Sequence, residues 1–420
     1  MKRQRVEDLA VLHTSCCGID VHQKSISACV LAADRSGKLT SEVRQFATTT
    51  RELLALTDWL AEHKVTHVAM ESTGVYWKPI FNLIEGQVEV VLANAAHLKN
   101  VPGRKTDTAD CVWIATLLRH GLIKASFVPP KPIRELRDLT RSRTTLMRER
   151  GAIVNRIQKV LEDANIKLAS VVTDILGVSG RAMLKHICDG EVDAEVLAGM
   201  ARGRLRSKST ALMFALEGRV SIHHRFLLRR LLAQAEWLEA EVAIFEREIM
   251  RHAAQFAEQV TLLDTIPGID RIAACALIAE IGTNMAQFPS ARHLASWAGL
   301  CPGNHESAGK RLSGRTRHGS PWLRGLIAQV AWIASRAKST YLASVFRRVM
   351  VHRGKKRALI AVAHSVLVIA WHMLTDRRPY QDLGPDYFER SRAEQIKRYH
   401  TRKLEHLGYA VTLQTQSATE

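Results

Sequence analysis

Paired cysteines are missing from this chain. Its seven cysteines are Cys16, Cys17, Cys29, Cys111, Cys188, Cys275 and Cys301, and no CxxC occurs. An odd count without that spacing argues against a disulfide framework or a zinc ribbon, and fits a reducing compartment. Long apolar runs are also missing. The closest is "ALIAVAHSVLVIAWHML", which carries two histidines and reads as a buried helix, not a bilayer span. The opening "MKRQRVEDLAVLHTS" has charge but no long apolar stretch, and does not read as a signal peptide. Acids are scarce relative to bases: Asp plus Glu is 41 against 60 for Lys plus Arg, a formal net charge of +19. An excess of that size calls for a polyanionic partner, most often nucleic acid. The basic residues are spread along the chain and not gathered on one amphipathic helix, so nucleic acid is expected as the partner and no membrane.

What is present fills 420 residues, 46% of them hydrophobic, enough for two or three domains. Residues 16–47 read as a meander of strands with a turn at Asp34 to Gly37. "TRELLALTDWLAEHK" has helical apolar spacing with Thr50 as its N-cap. "THVAMES" and "VEVVLAN" read as short strands, and a helix follows that Asp107 and Asp110 begin. Strands alternating with helices give an α/β domain over residues 1–125. The prolines of "VPPKPIREL" mark a boundary, and the chain beyond reads as helical.

Residues 126–260 form a helical, coiled-coil region. Leu139, Leu146, Ile153 and Val160 recur every seven residues, with Arg143 and Arg150 interrupting the companion seam. Leu228, Ala235, Val242 and Ile249 step by seven beside a second seam of Leu231, Leu238 and Phe245. This predicts a coiled coil or long helical hairpin, with packing inside one bundle an equal alternative. No role is assigned to residues 166–224. A mostly helical domain spans 261–380 and a tail 381–420. The Pro-Gly turn of "IPGID" lies between apolar helical segments, as in a helix-hairpin-helix, where amides beside Gly268 would hold a phosphate. Asp270 stands where that motif usually has a second glycine.

Four acids invite joint reading. Asp20 lies within the apolar strand "CCGID", and Glu71 ends the strand "HVAME". A carboxylate in such a strand is costly unless paired or metal-bound. Asp107 and Asp110 share a helical face, where they could also complement the helix dipole. Four hard oxygen ligands suit Mg²⁺ or Mn²⁺. Arg104 and Lys105 stand beside them for phosphate.

"GIDVHQKS", "MESTGVYW", "NAAHLKNVPGRKTDTAD" and the segment from "IPGIDRIAACALIAEIG" to "AGLCPGNHESAGKRLSGRTRHGSPWLR" resemble the DEDD transposases of bacterial insertion sequences, some of which are called bridge-RNA-guided recombinases. The resemblance covers both end units and implies a RuvC-like, ribonuclease-H-like N-terminal domain. It makes Asp20, Glu71, Asp107 and Asp110 the metal-binding acids. It also implies a nucleophilic serine at Ser307, with Ser313 and Ser320 as neighbours that compete for the role. Ser307 would attack a DNA phosphate in a site shared by two domains, with Lys310, Arg311, Arg315 and Arg317 holding backbone phosphates. A second basic run, Arg347, Arg348, Arg353, Lys355, Lys356 and Arg357, favours nucleic acid over a plain solvated face, while His22, His223 and His224 read as structural. The implied partners are element-end and target DNA, a guide (bridge) RNA, and further copies of the chain in a dimer or tetramer. The implied location is bacterial cytoplasm, at the nucleoid. Two alternatives remain: a water-using metal nuclease of the Holliday-junction type, and a non-catalytic nucleic-acid-binding protein.

Overall fold

The computed structural model describes residues 10–33, 38–72, 74–93, 110–303, 305–307, 310–313, 316, 318–391 and 393–413, with backbone only at 305–307, 310–313, 394 and 396. The chain divides into two compact units at Pro129/Pro130, inside the proline-rich segment.

The first unit is built on β1 (Ser15–Val21), β2 (Ser25–Ala33), β3 (Leu39–Ala47), α1 (Thr50–Glu62), β4 (His67–Glu71), α2 (Trp77–Ile84), β5 (Glu89–Ala93) and α3 (Asp110–Arg119). The strands form one mixed sheet in the order β3-β2-β1-β4-β5. The antiparallel meander β1–β2–β3 opens it, and β4 and β5 add in parallel. The expected α/β architecture is met. β1 is apolar on both faces because both are covered. Cys17, Ile19 and Val21 join Val68, Met70 and Leu92 under α1 and α2. Cys16, Ala69 and Ala93 face Cys111, Ile114 and Ala115 of α3. β3 is an edge strand and is mostly polar. The start of α1 differs from the sequence reading. Thr49, not Thr50, occupies the cap position, and it accepts through its backbone carbonyl from Leu53 rather than through its side chain.

Gly18 sets the distance between sheet and helix. A Cβ built there would lie 2.2 Å from the Ala115 nitrogen and 2.3 Å from the Cys111 carbonyl oxygen. No side chain fits, and the backbone of α3 rests directly on β1.

Among its described residues the second unit is helical, apart from one hairpin. α4 (Lys131–Asp163) is followed by the short α5 (Leu168–Val171), α6 (Val178–Asp189), α7 (Ala194–Gly199) and α8 (Ser209–Leu216), and then by the long α9 (Ile222–Ala253). Arg143 pairs with Glu246 and Arg150 with Glu239. Partner numbers fall as α4 numbers rise, so α4 and α9 run antiparallel as a hairpin within one chain. The α9 seam of Leu228, Ala235, Val242 and Ile249 is buried as read. The α4 seam differs. Ile133, Leu136, Ile153, Ile157 and Leu161 are buried, while Leu139, Leu146 and Val160 are only partly covered. The arginines that interrupt it are satisfied across the hairpin. Helices α5 to α8 cover one end of the hairpin around a core that includes Leu168, Met183, Leu184 and Leu212.

The remaining helices are α10 (Ala257–Asp264), α11 (Arg271–Ile281), α12 (Ala291–Trp297), α13 (Pro321–Ala334), α14 (Tyr341–Arg353), α15 (Lys355–Asp376), α16 (Tyr387–Ser391) and α17 (Ala393–His406). A two-stranded hairpin, β6 (His305–Ser307) and β7 (Lys310–Ser313), interrupts them. α15, long and apolar enough to cross a membrane by length and composition, is a core helix. Val362, Val366, Leu367 and Ala370 are buried in the unit's largest cluster. Glu280 at the end of α11 is also buried. It accepts from Arg141 through both oxygens, at 2.7 and 3.0 Å, and from the Ser320 hydroxyl at 3.0 Å.

Two substitutions test this packing. Gly18→Ala should destabilise the first unit by about 1–3 kcal/mol or more, because the methyl group meets backbone rather than a movable side chain. A lowered urea midpoint for that unit checks it. Glu280→Ala leaves the Arg141 guanidinium without its carboxylate and should cost about 3–5 kcal/mol in chemical unfolding of the second unit.

Candidate active site

Strand parity decides where the acids go. Cys16, Gly18 and Asp20 alternate onto the face that carries α3, and the Cys16 thiol reaches the Ala115 carbonyl at 3.7 Å. On the neighbouring parallel strand Ile19 is registered with Met70, so Asp20 and Glu71 follow side by side at the strand ends. Ala69 lies in the cluster under α3, and Glu71, two residues on, shares that face. α3 begins at Asp110, immediately before the Cys111 carbonyl that approaches Gly18. Asp110 is thereby brought to the same edge. Such carboxyl ends of parallel strands form the ligand crevice of open α/β sheets.

Electrostatics agrees with the geometry. The Asp20 carboxyl is held above the usual carboxylate range, first by burial. The charge of His22 opposes that shift, and the negative charges of Asp110 and Glu71 add to it. The three acids therefore feel one another. His22 Nε2 lies 3.2 Å from Asp20 Oδ2, with its side chain 65% exposed against 21% for Asp20. Asp20 stands near the end of β1, not at a strand centre, which lowers the cost of its charge.

The donor set is hard oxygen, the kind Mg²⁺ and Mn²⁺ take. Among the described residues, no three His, Cys, Asp or Glu side chains converge closely enough to hold a metal ion. The described chain gathers three acids at one edge without closing them into a ligand cage. Asp107, Arg104 and Lys105 lie outside the described residues. The cysteines around the acids are buried and free. Burial pushes the Cys16 and Cys111 thiols up to about 11, so they pack as small neutral groups.

In the second unit, the backbone pairs Ser307 with Lys310 and Glu306 with Arg311 across the β6–β7 hairpin. Arg315 and Arg317 lie outside the described residues. Ser320 has a structural role: its hydroxyl caps α13, accepting from the Leu323 amide, and donates to Glu280. Gly268 has φ +91°, and a Cβ there would lie 2.9 Å from the Val330 carbonyl oxygen, so it packs closely against α13. The start of α11 is capped by the Asp270 carboxylate, which accepts from the Ala273 amide at 2.7 Å. A negative side chain where a phosphate would sit opposes that anion, and the geometry favours a packing role for Gly268. In the second basic run, Arg348 lies over the Phe388 ring and Lys355 over the Trp332 ring.

Sequence reasoning passed over Gly18 and took His22 as structural. An isolated glycine in an apolar strand signals close backbone approach, and that signal was available. The His22 contact depends on strand parity at the end of β1 and was not.

Comparison with known proteins accords with this layout. Residues 17–166 match the model of the DEDD transposases of the IS110 type, described as a transposase. Residues 260–346 match the transposase model of the IS116/IS110/IS902 family. The chain is 24% identical to the transposase for insertion sequence element IS1111A of Coxiella burnetii, over 90% of this chain and 93% of that protein. It is 23% identical to the pilin gene-inverting protein of Moraxella bovis, over 86% of this chain and 96% of that one. Thermus thermophilus RuvC aligns over 27% of this chain and 99% of its own, at 15% identity and a TM-score of 0.21. Matched at both ends and aligned along most of its length with an insertion-sequence transposase, the chain belongs to the IS110 family of DEDD transposases, with the DEDD transposase region at its N-terminal end and the second transposase region toward its C-terminal end.

Proposed function

We propose that this transposase cuts and rejoins DNA with Asp20, Glu71, Asp110 and Asp107 holding Mg²⁺ or Mn²⁺. The observation that carries this reading is the meeting of Asp20, Glu71 and Asp110 at one edge of the sheet. A divalent cation there supplies charge stabilisation to a phosphate under attack. The acids orient it, and His22 balances part of the negative charge at Asp20. Arg104 and Lys105, just before the aspartates, supply phosphate contacts.

Ser307 is the nucleophile in this reading. Its Oγ forms the bond to phosphorus, the bond from phosphorus to the leaving sugar oxygen breaks, and that oxygen takes up a proton. The resulting phosphoserine link conserves the phosphodiester energy for rejoining. The family resemblance and the place of Ser307 in an arginine- and lysine-rich hairpin support it. Lys310, Arg311, Arg315 and Arg317 hold the backbone. An element-encoded guide RNA supplies target choice by base pairing, a reading supported by the resemblance and the charge of +19.

The working form is a homo-oligomer. Besides its buried seam, α9 carries a second heptad stripe on its outer side: Phe226, Ala233 and Ala240 step by seven, as do Trp237 and Ile244. Phe226, Trp237 and Ile244 are 61%, 58% and 47% exposed. A solvent-facing heptad of this kind is the pattern by which helices of separate chains pair.

Two results are expected. Incubated with Mg²⁺, guide RNA and labelled element-end DNA, wild-type chain should give a covalent adduct on a denaturing gel. Ser307→Ala and Asp110→Asn should each reduce it at least a hundredfold. Cleavage that persists without any adduct in Ser307→Ala would instead identify a water-using nuclease. The second concerns pH. The folded state raises the carboxyl of Asp20, so the folded state favours its protonated form. That contribution is present below the unfolded value of about 3.9 and is lost as pH rises through the higher folded value. Without divalent metal, Asp20→Asn should therefore raise the melting midpoint at pH 7, and the gain should vanish near pH 3.

A further inference from the structure

α4, α11 and α13 enclose a groove of about 410 Å³, within the range of sites for small organic groups, roughly 300–1,000 Å³. One wall is Trp322, half-buried at the start of α13. Two guanidiniums lie over its ring, Arg148 at 4.7 Å and Arg141 at 5.6 Å from the centroid. Their charges are not equivalent. Arg141 is neutralised by buried Glu280, and Arg143 on the rim by Glu246. Arg148 is exposed and, among the described residues, has no carboxylate partner and lies over the Trp322 ring.

Gly325 supplies an independent observation. It lies within α13 and lines the same groove. A helix-interior glycine is costly relative to alanine, and close packing usually explains it. Here it does not. A Cβ at Gly325 would meet only the Arg148 guanidinium, at an ordinary contact distance of 3.8 Å. The chain's own packing leaves that position open, and the residue is exposed. The space it keeps clear is in front of the Trp322 and Arg148 pair.

We propose that this groove binds an unpaired nucleotide of single-stranded DNA, its base stacked beside Trp322 and its phosphate against Arg148. Aromatic rings and arginine planes are the side chains on which unpaired bases stack. Asp270 lines the same groove at the start of α11, so the phosphate is assigned to the α4 wall, where the Arg148 guanidinium suits it. A chain that cuts and rejoins DNA exposes such nucleotides, and the inference rests on that reading. The groove uses none of the residues assigned to catalysis.

The test is fluorescence anisotropy of the full chain with a labelled oligothymidylate, a labelled duplex and a labelled oligouridylate, over a range of salt concentrations. Trp322→Leu should weaken oligothymidylate binding about tenfold, as loss of one stacked base does, and leave duplex binding unchanged. Arg148→Ala should lower the salt slope for oligothymidylate by about one. Gly325→Gln, which fills the groove with a better helix former, should weaken oligothymidylate binding while melting no lower than wild type. That pairing of effects separates a binding role from a folding defect. Gly325→Gln and Arg148→Ala chains that melt as wild type and bind oligothymidylate as tightly overturn the proposal. Tighter binding of oligouridylate with the same sensitivity to these variants overturns the assignment to DNA. Wild-type chain that binds neither single strand nor duplex overturns the DNA reading itself.

Discussion

The backbone of helix α3 lies against strand β1 at Gly18, and the acidic edge depends on that contact. A helix normally stands off a sheet by the length of the side chains between them. Removing the side chain at one position lets Cys111 and Ala115 touch the strand. Asp110 then arrives beside Asp20, which the register of β1 with β4 has already set next to Glu71. The contact also explains why this edge is electrostatically strained. Burial first, and then the negative charges of Asp110 and Glu71, push the Asp20 carboxyl up, a cost that a divalent cation would relieve.

The second unit manages charge of the opposite sign. Its long helix α4 carries Arg143 and Arg150 at positions where a simple coiled coil would place leucine, and both are matched across the hairpin, Arg143 by Glu246 and Arg150 by Glu239, which also takes Arg181 of α6; Arg141 is matched by Glu280. These pairs fix the register of the hairpin and of α4 on α11. Arg137 adds to this by donating to the carbonyls of Ala279 and Glu280 at the end of α11. Against this matched background, Arg148 stands out among the described residues by pairing with an aromatic ring and no carboxylate.

Much of this could be read from sequence where the signal was local and periodic. The meander, the two parallel strands, the buried seam of α9 and the breakpoint at the prolines all follow from alternation, heptads and turn residues. Asp20 drew attention in the sequence because a carboxylate inside an apolar strand is rare. Seams shared between elements were harder to read. The α4 seam shifts from Leu139, Leu146 and Val160 to Ile133, Leu136 and Ile157 because α4 packs on two different cores along its length. The turn at Gly268 has the right residues for a phosphate site, yet Asp270 caps the helix that would hold it. His22 and Glu280 acquire their roles only through partners outside their own elements or beyond the strand's end, which no local pattern announces.

The central claim is that close packing at Gly18 assembles a cation site from Asp20, Glu71 and Asp110. It is tested most directly by Mn²⁺ binding, followed by electron paramagnetic resonance, in wild type, Asp110→Asn and Gly18→Ala, with circular dichroism to verify folding. The account predicts stoichiometric binding in wild type, at least tenfold weaker binding in Asp110→Asn, and a comparable loss in folded Gly18→Ala, whose acids are intact but displaced. Folded Gly18→Ala that binds Mn²⁺ as wild type does would contradict it.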